Sequence, residues 1–371
     1  MNSKFFPALA VLVGTTIGAG FLGIPNAISK SGFIPGIVFL ILIAIFILFL
    51  KLYLGEVILR TEGSHQLTGY AEKYLGKSGK TLMFIAMIFG IYSALIAYLI
   101  GEGRSLSYVI FNNVSYAFHI SLIFWVIITV LTFIGLKALK KYEKIGTFFV
   151  AVFLILIIVF FIGKINIANL SYTNPKYLFA PFGVIVFSFL AFSAMPEVRR
   201  ILTNSNEKLM KKVIIWGMLI PLIVYLIFTF ITIGNFGTNV PEIATLAFGR
   251  FFSLLGVITM FTAFFTQSIA IRDMFRFDFN LGRFKGWILA AFIPLIAYII
   301  IEVFKLASFI QILSVAGVIS GGLTGILILF MNSKSKELGK RDPEYSIKIN
   351  WWIIILMSII FVTAIVLEFI F

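Results

Sequence analysis

Cysteine is missing from all 371 residues, and histidine occurs only at His65 and His119. Disulfides, thiolate metal sites and cysteine nucleophiles are therefore excluded, and two histidines so far apart make no metal centre. Charge is scarce: 12% of residues are charged against 61% hydrophobic, too little to cover the surface of a soluble domain this large. Long polar stretches are absent too, so a single membrane domain over residues 1–371 is expected. The strict alternation that marks a membrane barrel does not occur. Neither does a phosphate-cradling GxxxxGK loop, which argues against direct ATP-driven work, nor any catalytic constellation, so the chain does not read as an enzyme.

The sequence is instead rich in apolar runs long enough to cross the roughly 30 Å hydrocarbon core as helices of about 20 residues. Eleven such spans are expected, near 5–29, 34–59, 81–111, 118–136, 143–163, 178–201, 211–233, 249–272, 286–303, 306–331 and 350–371. The fold class is thus all-α, a polytopic membrane protein whose partner is the lipid bilayer. The first run follows Lys4 but lacks a small-residue cleavage site, so it reads as a retained helix rather than a signal peptide.

The net charge of +15 does not indicate nucleic acid, because the basic residues sit in short loops between spans. Lys4 and the loops within 60–80, 137–144, 199–212, 272–285 and 334–348 carry 23 Lys and Arg, whereas the alternate loops carry five: Lys30, Lys164, Lys176, Arg250 and Lys305. By the positive-inside rule the N-terminus is expected in the cytoplasm and, after an odd number of spans, the C-terminus outside, in an inner or plasma membrane.

Two spans carry helix breakers. The first holds GTTIGAG at 14–20, then Pro25; the sixth holds FSFLAFSAMPE at 187–197, with Pro196 inside it. Glycine costs about 1 kcal/mol relative to alanine in a helix interior, and proline removes a backbone donor. Irregular backbone at membrane depth survives only where it lines a cavity or is buried in protein. Spans 1–5 (5–163) and 6–10 (178–331) each open with their interrupted helix and enter from opposite sides. Paired breaks in inverted halves point to a transporter site, with half-helix N-termini facing a carboxylate and unwound carbonyls facing cations. An amino acid carries both groups side by side.

The run GTTIGAGFLGIPNAISKSGF (14–33) resembles the first helix of the aromatic amino acid permeases, the tryptophan and tyrosine permeases within the wider amino acid/auxin permease group. LGEVILR (54–60), YLGKSGK (74–80), IAYLIGEG (96–103) and VIVFSFLAFSAMPEVRRIL (184–202) continue the likeness. The resemblance implies a LeuT-type 5+5 inverted repeat with an extra C-terminal helix, and amino acid uptake coupled to protons. Carried over by position, Thr16, Ile17, Gly18, Ala19 and Gly20 would hold the carboxylate, and the carbonyls of Phe192, Ser193 and Ala194 would receive the amine. The sixth span departs from the aromatic permeases: Ser188 to Phe192 contains no histidine, and Pro196–Glu197 looks more like the wider group.

Ionisable groups within spans are functional candidates because burying them is costly. Glu197, after the second break, is the expected proton-coupling residue, the alternative being a structural ion pair with Arg199, Arg200 or a residue of span 2. Glu56 reads as a structural partner of a cation, with Lys51 snorkelling or pairing with it. Glu102 and Arg104 fall toward the outer end of span 3, in the vestibule or on the surface. Tyr98, with Tyr92, is placed to close over the substrate. Thr259, Thr262 and Thr266 share one face of span 8, the alternative being a sodium site there or hydroxyls bonded to their own helix. The resulting expectation is a proton-coupled symporter for a neutral or aromatic amino acid, with no cofactor and H+ or Na+ as coupling ion. A sodium-coupled symporter and a non-transporting amino acid sensor are the alternatives.

Overall fold

The computed structural model describes residues 4–134, 139–203, 206–279 and 281–348, with positions 355, 359 and 363. The expected eleventh span and the C-terminus lie outside these residues, as do the side chains of 135–149. The chain opens with α1 (Phe5–Thr16), a 3-10 turn (Ala19–Gly23) and α2 (Ile24–Ser31), which together form the first span, bent by 41° at its break. Then follow α3 (Phe33–Arg60), α4 (Leu67–Phe111), α5 (Ala117–Ile134) and α6 (Leu139–Phe161). The sixth span comprises α7 (Phe182–Phe189), a 3-10 turn (Phe192–Ala194) and α8 (Met195–Leu202). The remaining helices are α9 (Met210–Phe236), α10 (Arg250–Asp278), α11 (Arg283–Phe304) and α12 (Phe309–Leu338). Among the described residues, eight helical segments, counting α7–α8 as one, are long and apolar enough to cross a membrane, and the bent first pair makes a ninth.

The helix α4 begins 14 residues before the expected span 3. Gly76, at φ 71°, breaks its regular turns and separates Leu67–Leu75 from the apolar stretch that follows. Glycine reaches this left-handed backbone without the Cβ clash other residues meet. The leading segment buries Leu67, Tyr70, Ala71 and Tyr74 and exposes Glu72 and Lys73, so it is an amphipathic arm with no continuous apolar run to announce it.

At the centre α4 packs against α12, α10 and α5, while α1 and α3 pack against α9 and α7 rests on α12 and α3. Side-chain contacts sort the loops into two ends. At one, Lys4 Nζ reaches the Thr203 carbonyl (3.1 Å), Arg199 donates to the carbonyls of Thr61 and Gly63, and Arg341 to that of Leu59. At the other, Asn26 donates to the Val240 carbonyl, Arg104 pairs with Glu242 at 2.6 Å, and Arg250 donates to the Val109 carbonyl. The N-terminus and the basic loops after α3, α8 and α12 thus share one end, and the ends of α2, α4 and α9 meet at the other.

Glu56 and Lys51 do not pair as expected. Glu56, fully buried, pairs with Arg60 at 3.0 Å and accepts from Ser346 Oγ and the Ile347 amide. It pins the segment after α12 across the Arg-rich end. Lys51 lies one and a half turns deeper and points elsewhere, because α3 turns it toward α1.

Candidate functional site

Both expected breaks exist, and each has a local cause. Thr15 and Thr16 bond back to the carbonyls of Val11 and Leu12 (2.8 and 2.7 Å) and close the last turn of α1. Gly18 is then extended (φ −83°, ψ −161°), and a new turn starts at Ala19. The second break sits earlier than Pro196 suggested. The backbone leaves α7 at Leu190, and Ala191 takes a left-handed conformation (φ 38°, ψ 27°) rare for a residue with a Cβ. Pro196 lies in the first turn of α8, where its missing N–H costs no hydrogen bond. The proline therefore marks the start of the second half-helix, not the break.

A cavity of about 100 Å³ lies between the two breaks. Among the expected substrate residues, Thr16, Gly18, Gly20, Phe192, Ser193 and Tyr98 line it, whereas Ile17, Ala19 and Ala194 do not. Gly20 permits the close approach of the two breaks, since a Cβ there would sit 2.8 Å from Ser188 Oγ and 2.9 Å from the Phe187 ring. The first amides after each break have no intrahelical acceptor and carry the positive end of a short helix. Thr15, Ser188, Gln267, Ser320 and Thr324 add polar atoms, Met87, Ile91, Phe187 and Leu190 add apolar surface, and no charged side chain is among the lining residues.

Tyr225 of α9 ties the breaks together. Its hydroxyl lies 2.7 Å from the Thr16 carbonyl and 3.0 Å from the Ser188 carbonyl, so one proton serves the last turns of both α1 and α7. Its ring stacks on Phe21 at 5.8 Å and packs against Phe189 at 4.9 Å. Lys51, wholly buried, donates to Thr16 Oγ1 at 3.2 Å, which sets an amino group directly behind the first break.

The expected coupling residues lie elsewhere. Glu197 is 38% exposed and pairs with Arg200 at 2.8 Å on the outer face of α8, so it is neither buried nor at the cavity. Thr259, Thr262 and Thr266 each bond to carbonyls of their own helix at 2.9 Å, and none lines the cavity. Their neighbour Gln267 does, from the adjacent face of α10. Tyr92 donates to the Leu289 carbonyl at 3.0 Å, away from the cavity. Glu102, expected in the external vestibule or on the surface, is completely buried. Gln267, Ser320, Thr324 and Tyr225 carried no distinguishing pattern; only the small-residue spacing of Gly317, Ser320, Gly321 and Thr324 on α12 hinted at one inward face.

A bundle of apolar, membrane-length helices around this cavity is the build of a multi-pass membrane protein. The chain belongs to the tryptophan/tyrosine permease family, whose sequence model matches residues 1–243; this is a family of permeases, not of enzymes. Among its relatives, glutamine transporter 2 of Aliivibrio fischeri is 25% identical over 244 residues, 64% of this chain and 63% of that one. The chain thus aligns with less than two thirds of that transporter's length. The tyrosine-specific transport system 1 of Haemophilus influenzae is 24% identical over 321 residues, 79% of this chain and 80% of that one. The low affinity tryptophan permease of Escherichia coli O157:H7 is 25% identical over 339 residues, 80% and 79% of the two chains.

Gly18 tests the cavity. A Cβ there would make only ordinary contacts, 3.8 Å from the Thr15 carbonyl and the Tyr98 hydroxyl, so Gly18→Ala should keep binding. Gly18→Leu should fill the cavity and weaken amino acid binding by more than about tenfold, roughly 1.4 kcal/mol. Titration calorimetry on both purified variants, each first shown to be monodisperse, checks this. Equal affinity in the two would place the ligand elsewhere.

Proposed function

We propose that the chain is a secondary transporter that carries a neutral amino acid across the cell membrane by alternating access, in symport with protons. The observation that carries this reading is the cavity between the two helix breaks. It offers main-chain amides and carbonyls beside hydroxyls and an amide, and no charged side chain lines it. A zwitterion fits such a place, its carboxylate at the half-helix N-terminus near Gly18 to Gly20 and its amine at the carbonyls after α7. A further charge on the substrate side chain would find no partner there. The relatives named for tyrosine, tryptophan and glutamine agree with a substrate of this class.

The inverted repeat of a LeuT-type arrangement, with eleven spans, belongs to this proposal. Exchanging the two halves maps helix contacts onto one another: α1 packs on α9 as α7 packs on α3, and α4 on α5 as α10 on α11. The cavity also takes in Leu67 and Met87, on the side of the Arg-rich loops, as an inward-facing state would. In this reading the Arg-rich end is cytoplasmic. Because the chain has no cysteine, single replacements report orientation directly. In intact cells a membrane-impermeant maleimide should label Lys305→Cys and spare Lys77→Cys until the membrane is opened; the reverse pattern would invert the topology.

Uptake into proteoliposomes tests the function. Labelled tyrosine, tryptophan and glutamine should accumulate under an inward proton gradient in sodium-free buffer, while glutamate and lysine should not. Accumulation that needs sodium and ignores the proton gradient would overturn the coupling assignment and return attention to Thr259, Thr262 and Thr266. Binding without any flux would favour a sensor.

A further inference from the structure

Eight buried side-chain oxygens among the described residues have no hydrogen-bond partner, and four of them belong to three residues: both carboxyl oxygens of Glu102, Ser105 Oγ and Thr245 Oγ1. Glu102 and Ser105 lie on neighbouring turns of α4, a spacing that sets their Cβ atoms about 5–6 Å apart. The Ser105 and Thr245 hydroxyls flank the same glycine of α10, at 3.4 and 2.9 Å from where a Cβ on Gly256 would stand. Thr245 belongs to the 3-10 turn Ala244–Phe248, which packs on α10. Glu102 thus lies one turn beyond Tyr98, which lines the cavity, and one turn before the unpartnered Ser105 hydroxyl, which meets that of Thr245 at Gly256 near the Arg-poor end.

Among the described residues neither a cation nor a donor bonds to the Glu102 carboxyl. The nearby cations are engaged: Arg104 with Glu242 at 2.6 Å, and Arg250 with the carbonyls of Val109 and Ile110. Other titratable groups nearby are Tyr98 and Tyr108 on α4 itself, His119 in the first turn of α5, Tyr298 and Glu302 on α11, and Tyr225 on α9 beside Tyr98; none of them bonds to Glu102 among the described residues. Lys51, also fully buried, has an acceptor in Thr16. An ionised carboxylate sealed in low dielectric with no partner costs several kcal/mol. The same group in contact with water, when that end of the bundle opens, costs little.

We infer that Glu102 carries the coupling proton: it ionises while the outer end is hydrated and must hold a proton for that end to close over it. The inference rests on the proton-symport reading above. The proton comes from outside water onto one carboxyl oxygen; after the bundle reverses, inner water that enters the cavity takes it up past Tyr98, which lines that cavity one turn from Glu102 on α4.

A neutral side chain at this position should permit closure without a proton. With tyrosine, tryptophan and glutamine as probes, wild-type proteoliposomes should accumulate substrate up to roughly tenfold under a one-unit inward pH gradient, the limit for one proton per substrate. Glu102→Gln should fall to the equilibrium level while exchanging internal for external labelled substrate within about twofold of wild type. Glu102→Asp, which keeps a carboxyl, should retain gradient-driven accumulation. Accumulation by Glu102→Gln equal to wild type, or loss of exchange along with accumulation in a folded variant, overturns the inference. No pH response in wild type would instead sink the proton-symport reading itself. A measurement that needs no variant uses dicyclohexylcarbodiimide, which attacks protonated carboxyls in apolar surroundings. Mass spectrometry should find Glu102 modified, less so as pH rises, and an unmodified Glu102 at every pH contradicts the assignment.

Discussion

One hydroxyl group holds the centre of this molecule together. Breaking a helix at membrane depth frees carbonyls and amides that lipid cannot satisfy, and two broken spans face each other here. The Tyr225 hydroxyl meets the carbonyl of Thr16 at 2.7 Å and that of Ser188 at 3.0 Å, so the ends of α1 and α7 are fixed relative to each other through α9. Remove that donor and two buried carbonyls compete for nothing, at about 1–3 kcal/mol for each unsatisfied group. The cavity exists because these ends are held apart by a fixed distance and the chain between each pair of half-helices is free to present its backbone.

The other buried polar groups are arranged around this junction. Lys51 stands behind the first break and bonds to Thr16, placing an amino group beside the half-helix end that faces the cavity. Glu102 lies on the opposite, Arg-poor side, beyond Tyr98 and sealed from solvent. A buried amine and a buried carboxyl on either side of one cavity differ in how they are satisfied, since Lys51 has an acceptor and Glu102 has no donor. Glu56, by contrast, is fully paired with Arg60, Ser346 and Ile347 and serves to fasten the Arg-rich end.

Much of the bundle was legible because apolar length and loop charge are one-dimensional signals. The glycines at 14–20 located the first break to within a residue or two, since no packing context is needed to make three glycines poor helix formers. The second break was misplaced because proline was read as a helix breaker, whereas Pro196 occupies a first turn that tolerates it. The arm at the start of α4 escaped notice because an amphipathic segment ending at a glycine has no apolar run. Tyr225 was invisible for a different reason: its partner Thr16 is 209 residues away, and only packing brings them together. The threonines of α10 show the same limit. Their shared face was correctly read, but which face turns inward is decided by neighbouring helices, and Gln267 faces the cavity instead. Glu102 was set in the external vestibule or on the surface by counting along α4, while the segments folded over that end cover it.

The central claim is that the amino acid sits between the two breaks, and ligand protection of a thiol in the cysteine-free chain tests it most directly. Ser193 lines the cavity and is exposed within it, whereas Thr266 is exposed outside it. Alkylation of Ser193→Cys by a small maleimide should slow at least about tenfold when tyrosine, tryptophan or glutamine is present at saturating concentration, and alkylation of Thr266→Cys should not change. Equal rates at Ser193→Cys with and without a bound amino acid, in a protein shown to bind it, would contradict the placement of the site.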